Sequence, residues 1–288
     1  MFCNILVSRK YLLLHFKVVK FFYYFCNKAN VKKMKPLILL SNDDGVTAKG
    51  LKVLIETLHS IGDVFVVAPD RARSGSSCCI TSPLPITIKR LCVEEGLTIY
   101  SCTGTPSDCV KIALDQLLMR QPDLVIGGIN HGSNASINEI YSGTMGVAKE
   151  AVLHGIPSIA FSLCNHDDDA DFDPLCKFVQ HITELVLEKG LPYGSCLNVN
   201  FPPVEEFSGV KICRMAYGRW ENEYTPCERP QGGRYYWLGG ECVNDEPEDD
   251  DTDSWALDRD FVSITPIKID ATDYELKEKL SNWGLEDV

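Results

Sequence analysis

Short unbroken apolar runs alternate with amphipathic segments between Met34 and about residue 200. Such short runs are typical of strands buried on both faces, as in a parallel sheet. The predicted strands are Pro36–Leu40, Val64–Ala68, Leu124–Ile126 and Ile159–Phe161. The predicted helices begin near Lys49 and span Asp108–Met119 and Thr144–Leu153. This alternation predicts an α/β fold with a doubly wound, mostly parallel sheet.

The pattern changes after residue 200, where proline and glycine interrupt the chain repeatedly. Short β-like runs lie at Val210–Cys213, Tyr235–Leu238 and Phe261–Ile264. We therefore predict a core over residues 34–200 and, over residues 201–288, a β-rich oligomerisation arm that returns to a C-terminal helix. The acidic stretch Asp245–Asp253 is expected to be a solvated charge run.

The first 33 residues differ in character from the rest, with seven basic side chains and no acidic one. Their apolar runs are short and are interrupted by Lys17 and Lys20, so neither a signal peptide nor a spanning helix is predicted. We expect this leader, residues 1–33, to be disordered or dispensable and without stable membrane insertion. A basic helix lying on a membrane surface is the alternative.

Charge and cysteine usage narrow the classes of partner. The formal net charge is -12, which argues against duplex nucleic acid as a partner because phosphate backbones favour basic surfaces. The 13 cysteines include no C-x-x-C pair and show no regular spacing. Reduced thiols and a cytoplasmic location are therefore expected.

Two adjacent carboxylates, Asp43 and Asp44, directly follow the first predicted strand. At a sharp turn both side chains can converge on one cation, and Gly45 supplies the backbone freedom for that turn. A hard divalent ion such as Mg²⁺ or Mn²⁺ would remove their mutual repulsion. The alternative is that one aspartate caps the helix that follows.

Three further polar clusters follow strand ends or begin a helix: Arg71–Ser77, Asn130–Asn134 and Tyr141–Gly146. The first has the small residues of an oxyanion-binding loop, and the second carries amide oxygens suited to a hard cation. The third would present free N–H groups to phosphate at a helix N-terminus. His131 could act as an acid, although simple exposure to solvent is the expectation for a single loop histidine. Because ligands bind beyond the carboxyl ends of parallel strands, all these clusters are expected at one edge.

With these motifs in place, the sequence resembles the SurE family of nucleotidases. The resemblance spans roughly residues 34–275 and rests on motifs in the family's order: Ser41–Gly45, Ala68–Arg71, Arg73–Gly75, Gly104–Val110, Gly128–Gly132, Tyr141–Thr144, Thr252–Ala256 and Val262–Pro266. It implies a Rossmann-like core and hydrolysis of nucleoside 5′-monophosphates, with 3′-monophosphates and short polyphosphate as side substrates. It also implies a homodimer or homotetramer in which the C-terminal arm is exchanged or packed between subunits.

The resemblance further implies one divalent metal ion per subunit, Mg²⁺ or Mn²⁺. By motif position its ligands are Asp43, Asp44, Ser74 and Asn130. The cation would polarise phosphoryl oxygens and activate water, and Asp43 or Asp44 would accept the proton as the catalytic base. The phosphate would be held by Asn42, Gly75, Ser142, Gly143 and Thr144. A covalent aspartyl-phosphate is the alternative chemistry.

Other classes fit less well. A haloacid-dehalogenase-like phosphatase requires Asp-x-Asp-x-Thr after the first strand, whereas here the aspartates are adjacent. A non-enzymatic nucleotide- or metal-binding module is the second alternative. The dinucleotide fingerprint G-x-G-x-x-G does not follow that strand, so NAD binding is not expected. A membrane-surface protein that uses the basic leader is the third alternative.

Overall fold

The computed structural model describes residues 34–167 and 169–285. The predictions made for residues 1–33 lie outside the described residues.

One nine-stranded sheet organises the chain, with two small hairpin sheets beside it. The strands are β1 (Leu37–Ser41), β2 (Asp63–Pro69), β3 (Ile88–Glu94), β4 (Leu97–Cys102), β5 (Leu124–His131), β6 (Ser158–Leu163), β7 (Ser195–Phe201), β8 (Gly209–Ile212), β9 (Gly218–Glu221), β10 (Tyr224–Glu228), β11 (Arg234–Leu238), β12 (Glu241–Asn244) and β13 (Phe261–Lys268). The order in the large sheet is β3-β4-β2-β1-β5-β6-β7-β13-β8. The six strands from β4 to β7 in this order are parallel to one another.

The path of the chain reverses between β1 and β5. After β1 the chain moves outward through β2 to β4, and it then returns to add β5, β6 and β7 on the other side of β1. A doubly wound sheet has its ligand-binding crevice at this switch point, beyond the carboxyl ends of the strands. The acidic motif after β1 and the asparagine motif at the end of β5 therefore face the same crevice.

Helices cover both faces of the sheet, and each face has its own apolar core. The helices are α1 (Lys49–Leu58), α2 (Pro106–Ile112), a π-helical turn (Ala113–Leu117), α3 (Asn138–Tyr141), α4 (Gly143–Leu153), a 3₁₀ turn (Asp173–Leu175), α5 (Cys176–Lys189), α6 (Asp253–Leu257) and α7 (Tyr274–Ser281). Leu51 and Leu54 of α1 pack with Val179 of α5 on one face. Val110 of α2 packs with Val147 of α4 on the other.

The α/β class predicted from the sequence is confirmed, and all four predicted core strands are present with small shifts at their ends. β5 is longer than predicted and runs on to His131, with an irregular register against β6 between Gly127 and Asn130. The helix predicted over Asp108–Met119 ends as α-helix at Ile112 and continues as a π turn. Among the strands and the longer helices of residues 34–201, four were not predicted: β3, β4, β7 and α5.

The segment after residue 200 contributes to both the hairpins and the large sheet. β9 pairs with β12, and β10 pairs with β11. In the large sheet, β13 lies between β7 and β8 and pairs with both. The large sheet therefore contains strands from both sides of the predicted boundary. The domain boundaries 34–200 and 201–288 remain a prediction.

The acidic stretch Asp245–Asp253 is mostly exposed, as expected of a solvated charge run, but its end is buried. Arg214 forms ion pairs with Glu246 at 2.7 Å, Asp249 at 2.9 Å and Asp251 at 3.0 Å. Asp253 is completely buried. Arg219 and Lys211 also pair with this stretch, at Asp245 and Asp250, so basic side chains of the arm hold it and the buried Asp253 anchors its end.

Across residues 34–167 and 169–285, none of the helices combines the length and apolar character needed to cross a membrane.

Candidate active site

A tight turn after β1 presents the two adjacent aspartates. The Asn42 side chain closes the turn, since its Oδ1 accepts from the Gly45 amide at 3.2 Å and its Nδ2 donates to the Gly45 carbonyl at 3.0 Å. Gly45 has φ +104°, and a Cβ there would lie 3.2 Å from the Arg71 backbone. Helix α1 begins with Ala48 as its N-cap and has no side-chain cap. The alternative that Asp43 or Asp44 caps this helix is therefore wrong.

Asp43 is almost completely buried at the switch point. The Thr144 hydroxyl donates to its Oδ1 at 2.5 Å, and the Arg73 amide donates to its backbone carbonyl at 2.6 Å. Burial raises the pKa of Asp43 to about 6, while the Thr144 hydrogen bond lowers it and the charge of Asp44 raises it further. An ionised Asp43 is thus costly unless a cation compensates it.

Asp44 lies beside it in a more open position and faces β5. Its Oδ2 accepts from the His131 amide at 3.1 Å. Burial raises the pKa of Asp44, and the His131 hydrogen bond and the charge of His166 lower it. The two aspartates therefore differ, because one is enclosed by α4 and the other is half-buried against the end of β5.

Asn130 joins the same cluster from β5. Its Nδ2 donates to the Gly132 carbonyl at 2.9 Å, and its Oδ1 lies 3.5 Å from the Thr144 hydroxyl. This orientation leaves the amide oxygen, the better cation ligand, on the side of Asp43. The structure thus brings Asp43, Asp44, Asn130 and Thr144 together, as the sequence predicted for one edge of the sheet.

The helix α4 begins against Asp43. The Ser142 hydroxyl accepts from the Met145 amide at 2.9 Å, as an N-cap does, and its own hydrogen can still be donated. A Cβ on Gly143 would lie 2.7 Å from the Asp43 Cβ and 2.7 Å from the Ser76 Oγ, so only glycine allows this approach. Thr144 was predicted to contact phosphate, but in this structure its hydroxyl is directed at Asp43.

The loop after β2 supplies the remaining predicted residues, Ser74 and Gly75, both of which are exposed. The Arg73 amide holds this loop to Asp43, which places Ser74 at the rim of the crevice. Ser76, which the sequence analysis did not single out, has a buried hydroxyl without a hydrogen-bond partner in the described part of the chain. The motif contains serines at three neighbouring positions, so sequence alone could not separate their roles.

Two histidines lie near the acidic pair. His131 is half-buried, and its ring centroid lies 4.8 Å from that of Phe172, so full exposure of this histidine was the wrong expectation. His166, which no motif indicated, packs so closely on Gly132 that a Cβ there would lie 2.1 Å from its ring.

The donor set fits a hard divalent cation. Among the described residues no group of three or more His, Cys, Asp or Glu side chains could hold a metal. A cation here would depend on the two carboxylates together with neutral oxygens from Asn130 and a serine, a set suited to Mg²⁺ or Mn²⁺. The buried Asp43 carboxylate, whose pKa is raised to about 6, and the unpaired Ser76 hydroxyl are both groups that a cation at this position would compensate.

Replacing Thr144 with valine tests the contact that orients Asp43. The change keeps the shape but removes the donor, and loss of a buried hydrogen bond to a charged group costs about 1.5–3 kcal/mol. We expect weaker Mn²⁺ binding, measured by isothermal titration. Thr144→Ser retains the donor and should bind within about threefold of the wild type, whereas equal loss in both variants would contradict this role for the hydroxyl.

The fold and the site define a doubly wound α/β protein with an acidic ligand site at the switch point of its sheet. The family model described as Survival protein SurE matches residues 38–222. The chain belongs to the SurE family.

Similar proteins cover most of the chain. It is 55% identical over 256 residues to 5′-nucleotidase SurE of Phocaeicola vulgatus, an alignment that covers 89% of this chain and 100% of the relative. It is 49% identical to 5′-nucleotidase SurE of Bacteroides fragilis, covering 88% and 100%. The crystal structure of the SurE protein from Aquifex aeolicus superimposes with a TM-score of 0.74 at 35% identity, covering 86% of this chain and 99% of that one.

Proposed function

We propose that this chain is a metal-dependent 5′-nucleotidase that hydrolyses nucleoside 5′-monophosphates to nucleoside and phosphate. One observation carries the proposal: the buried carboxylate of Asp43 lies against the first turn of α4. A cation-binding position and an anion-binding helix N-terminus therefore adjoin each other. Relatives that are 49–55% identical over their full length bear the name 5′-nucleotidase SurE, which supports the same activity.

The proposed ligands of one Mg²⁺ or Mn²⁺ per subunit are Asp43, Asp44, Ser74 and Asn130. When bound, such a cation polarises phosphoryl oxygens and lowers the pKa of water. Thr144 fixes the rotamer of Asp43, and the His131 amide fixes Asp44. One carboxylate of this pair would accept a proton from the attacking water as the water oxygen bonds to phosphorus. The bond from phosphorus to the ribose oxygen breaks, and that oxygen takes up a proton, so that the nucleoside leaves as an alcohol.

The phosphate itself would lie at the start of α4. Its negative charge is favoured by the helix dipole, and the Ser142 hydroxyl and Gly143 backbone can orient its oxygens. Gly75 would approach from the opposite loop, and Asn42 keeps the turn between them closed. The chain thus positions and orients the phosphate, which is the main contribution that phosphoryl transfer requires of a protein.

Substrate range, assembly and location belong to the same proposal. We propose 3′-monophosphates and short polyphosphate as side substrates, and a homodimer or homotetramer assembled through the arm. The exposed side chains of Tyr236, Trp237 and Leu238 on β11 support assembly, because isolated domains rarely expose such groups together. The free thiols of the described residues support a cytoplasmic location.

A substrate panel tests the activity directly. Purified protein is treated with chelator, reloaded with Mg²⁺ or Mn²⁺, and given 5′- and 3′-mononucleotides and polyphosphate. Phosphate release from 5′-mononucleotides should require the added cation and return to background in chelator. Full activity in chelator, or no hydrolysis of any mononucleotide, would refute the proposal.

Replacing Ser142 separates its two roles. Ser142→Ala removes both the N-cap and the proposed phosphate contact, and loss of the cap costs about 0.5–2 kcal/mol. Ser142→Gly retains most of the cap's stability because glycine is tolerated there at a cost of a few tenths of a kcal/mol. We expect KM for a 5′-mononucleotide to rise about tenfold in both variants, while Mn²⁺ affinity changes little. If KM rises only in the alanine variant, the serine acts through helix stability alone.

A further inference from the structure

We propose that Asp253 is a positioning residue that links the C-terminal segment to the loop carrying both halves of the active site. The inference rests on the proposed function and adds to it a dependence of the site's geometry on a residue far away in sequence. Asp253 lies 117 positions from its partner Ser136 and is completely buried.

The loop in question, residues 130–142, connects the two parts of the site. It begins at Asn130, the proposed cation ligand on β5, and ends at Ser142, the N-cap of α4. The Tyr141 carbonyl, near its end, accepts from the Ser77 amide at 3.0 Å, so the loop after β2 also depends on it. A shift of this loop would move the cation ligand and the phosphate contacts together.

Asp253 bridges three backbone amides. Its Oδ2 accepts from the Ser136 amide at 2.9 Å, and its Oδ1 accepts from the Ala216 amide at 3.0 Å and from the Ser254 amide at 2.8 Å. One carboxylate therefore ties the middle of the active-site loop to the segment that leads into the arm and to α6. A buried carboxylate with three amide donors is fixed in orientation, which suits it to hold a loop.

The conformation of Ser136 shows why the loop needs this support. Its φ is +52°, a left-handed backbone conformation that non-glycine residues adopt only when the surroundings enforce it. Its hydroxyl also donates to the Ala216 carbonyl at 3.0 Å. Asp253 and Ala216 thus enforce this conformation from the same side.

The other side of the loop is held by the sheet. The backbone amide of Asn134 donates to the Asn200 side chain at 2.8 Å, and its backbone carbonyl accepts from the Asn198 side chain at 2.7 Å. The Asn134 side chain donates to the Ser162 hydroxyl at 2.6 Å. The sheet fixes residue 134 and Asp253 fixes residue 136. The arm also reaches the loop directly, through the Trp220 Nε1, which donates to Asn138 at 3.0 Å.

Asp253→Asn tests the link selectively. The asparagine oxygen can still accept from Ala216 and Ser254, but its NH₂ group would face the Ser136 amide, donor against donor. We expect the Mn²⁺ dissociation constant to rise about tenfold, and kcat/KM for a 5′-mononucleotide to fall at least tenfold at saturating Mn²⁺. Both are measured well below the melting temperature, where the variant is fully folded.

Two control variants separate positioning from loss of stability. Val186→Ala creates a cavity under α5, away from the loop, and should lower the melting temperature without changing Mn²⁺ affinity. Ser136→Ala removes the hydroxyl contact with Ala216 but keeps the amide that Asp253 binds, so it should weaken Mn²⁺ binding less than Asp253→Asn does. If Val186→Ala weakens Mn²⁺ as much as Asp253→Asn at a matched loss of melting temperature, the role is merely structural and the inference is wrong.

A measurement on the wild-type protein does not depend on the variant folding. Because coupling between two sites is reciprocal, Mn²⁺ binding should slow hydrogen exchange of the Ser136 and Ala216 amides. Unchanged exchange at both amides would overturn the inference. If the wild-type protein binds Mn²⁺ and hydrolyses nucleotide, and the Asp253→Asn variant does both equally well, only the inference about Asp253 is refuted. Wild-type protein that binds no Mn²⁺ would refute the proposed function with it.

Discussion

Asp43→Asn should make the metal-free protein more stable at pH 7.5 while it abolishes hydrolysis. The folded-state pKa of Asp43 is about 6, against 3.8 for an ordinary aspartate, so the ionised carboxylate opposes folding at pH 7.5. Raising the pKa from 3.8 to about 6 costs roughly 3 kcal/mol of folding free energy at this pH, which is the upper limit for the stability that the asparagine can restore. The asparagine oxygen can still accept from Thr144, while its NH₂ group faces the Gly143 amide and reduces that gain.

Hydrolysis should fall at least about a thousandfold in the same variant, since loss of about 4 kcal/mol of transition-state stabilisation has that effect. Stability is measured by denaturant unfolding in chelator, and activity by phosphate release with Mn²⁺. Asp44→Asn is the matched control: it should lose activity similarly but gain less stability, because Asp44 is only half-buried. A metal-free Asp43→Asn protein less stable than the wild type would contradict the uncompensated-charge account. Retention of a tenth of the wild-type rate would rule out Asp43 as a ligand.

Opposite effects on stability and activity are expected of a residue kept for function. They would explain why the sequence pattern at Asp43 indicates a functional site so clearly. An unbroken apolar run that stops at two adjacent carboxylates has little structural use, because burial of an acid is costly. Short apolar runs that end abruptly also located β1, β2 and β6. These strands lie in the middle of the sheet, where both faces are buried. Strand β5 was recognised but cut short, since Gly127 and Gly128 look like a turn although the strand continues to His131.

The missed strands β7 and β3 lack that apolar signal for identifiable reasons. Strand β7 is central, yet Asn198 and Asn200 interrupt its apolar pattern because their buried side chains take part in the network around the active-site loop. Strand β3 is an edge strand with mostly exposed residues. Helix α5 does show helical periodicity, and a complete search of the sequence for that period could have found it.

Some residues of the candidate site could likewise be predicted from the sequence, and others could not. Asp43, Asp44, Asn130 and the start of α4 are predictable, because each directly follows a strand or opens a helix. The direction of the Thr144 hydroxyl, the buried hydroxyl of Ser76 and the link from Asp253 depend on contacts between distant segments. One sequence carries no signal for such contacts, so these assignments required the structure.

Mn²⁺ affinity should fall steeply as the pH drops below about 6. Below that pH the folded protein holds a proton on Asp43, and the cation must displace it, so affinity falls about tenfold for each further pH unit. Above pH 7 the carboxylate is already ionised and affinity should be nearly constant. The raised pKa of Asp44 acts in the same direction.

Stability of the metal-free protein should respond to pH with the opposite sign. Because the folded-state pKa is the higher one, the unfavourable contribution of Asp43 is fully present above about pH 6 and is relieved as the pH falls toward 3.8. A divalent cation should therefore stabilise the fold strongly at pH 7.5 and weakly at pH 5. Chelation at pH 7.5 should lower the melting temperature more than chelation at pH 5.

Thr144→Val sharpens the test of this linkage, because the Thr144 hydrogen bond lowers the pKa of Asp43. Without that donor the pKa rises further, and the pH at which Mn²⁺ affinity begins to fall should move upward. Isothermal titration between pH 5 and 7.5, in buffers of different ionisation enthalpy, gives both the affinity and the protons released. A flat affinity over this range would show that no buried acid competes with the cation. A loss of affinity with an unmoved midpoint in Thr144→Val would show that some other group carries the proton.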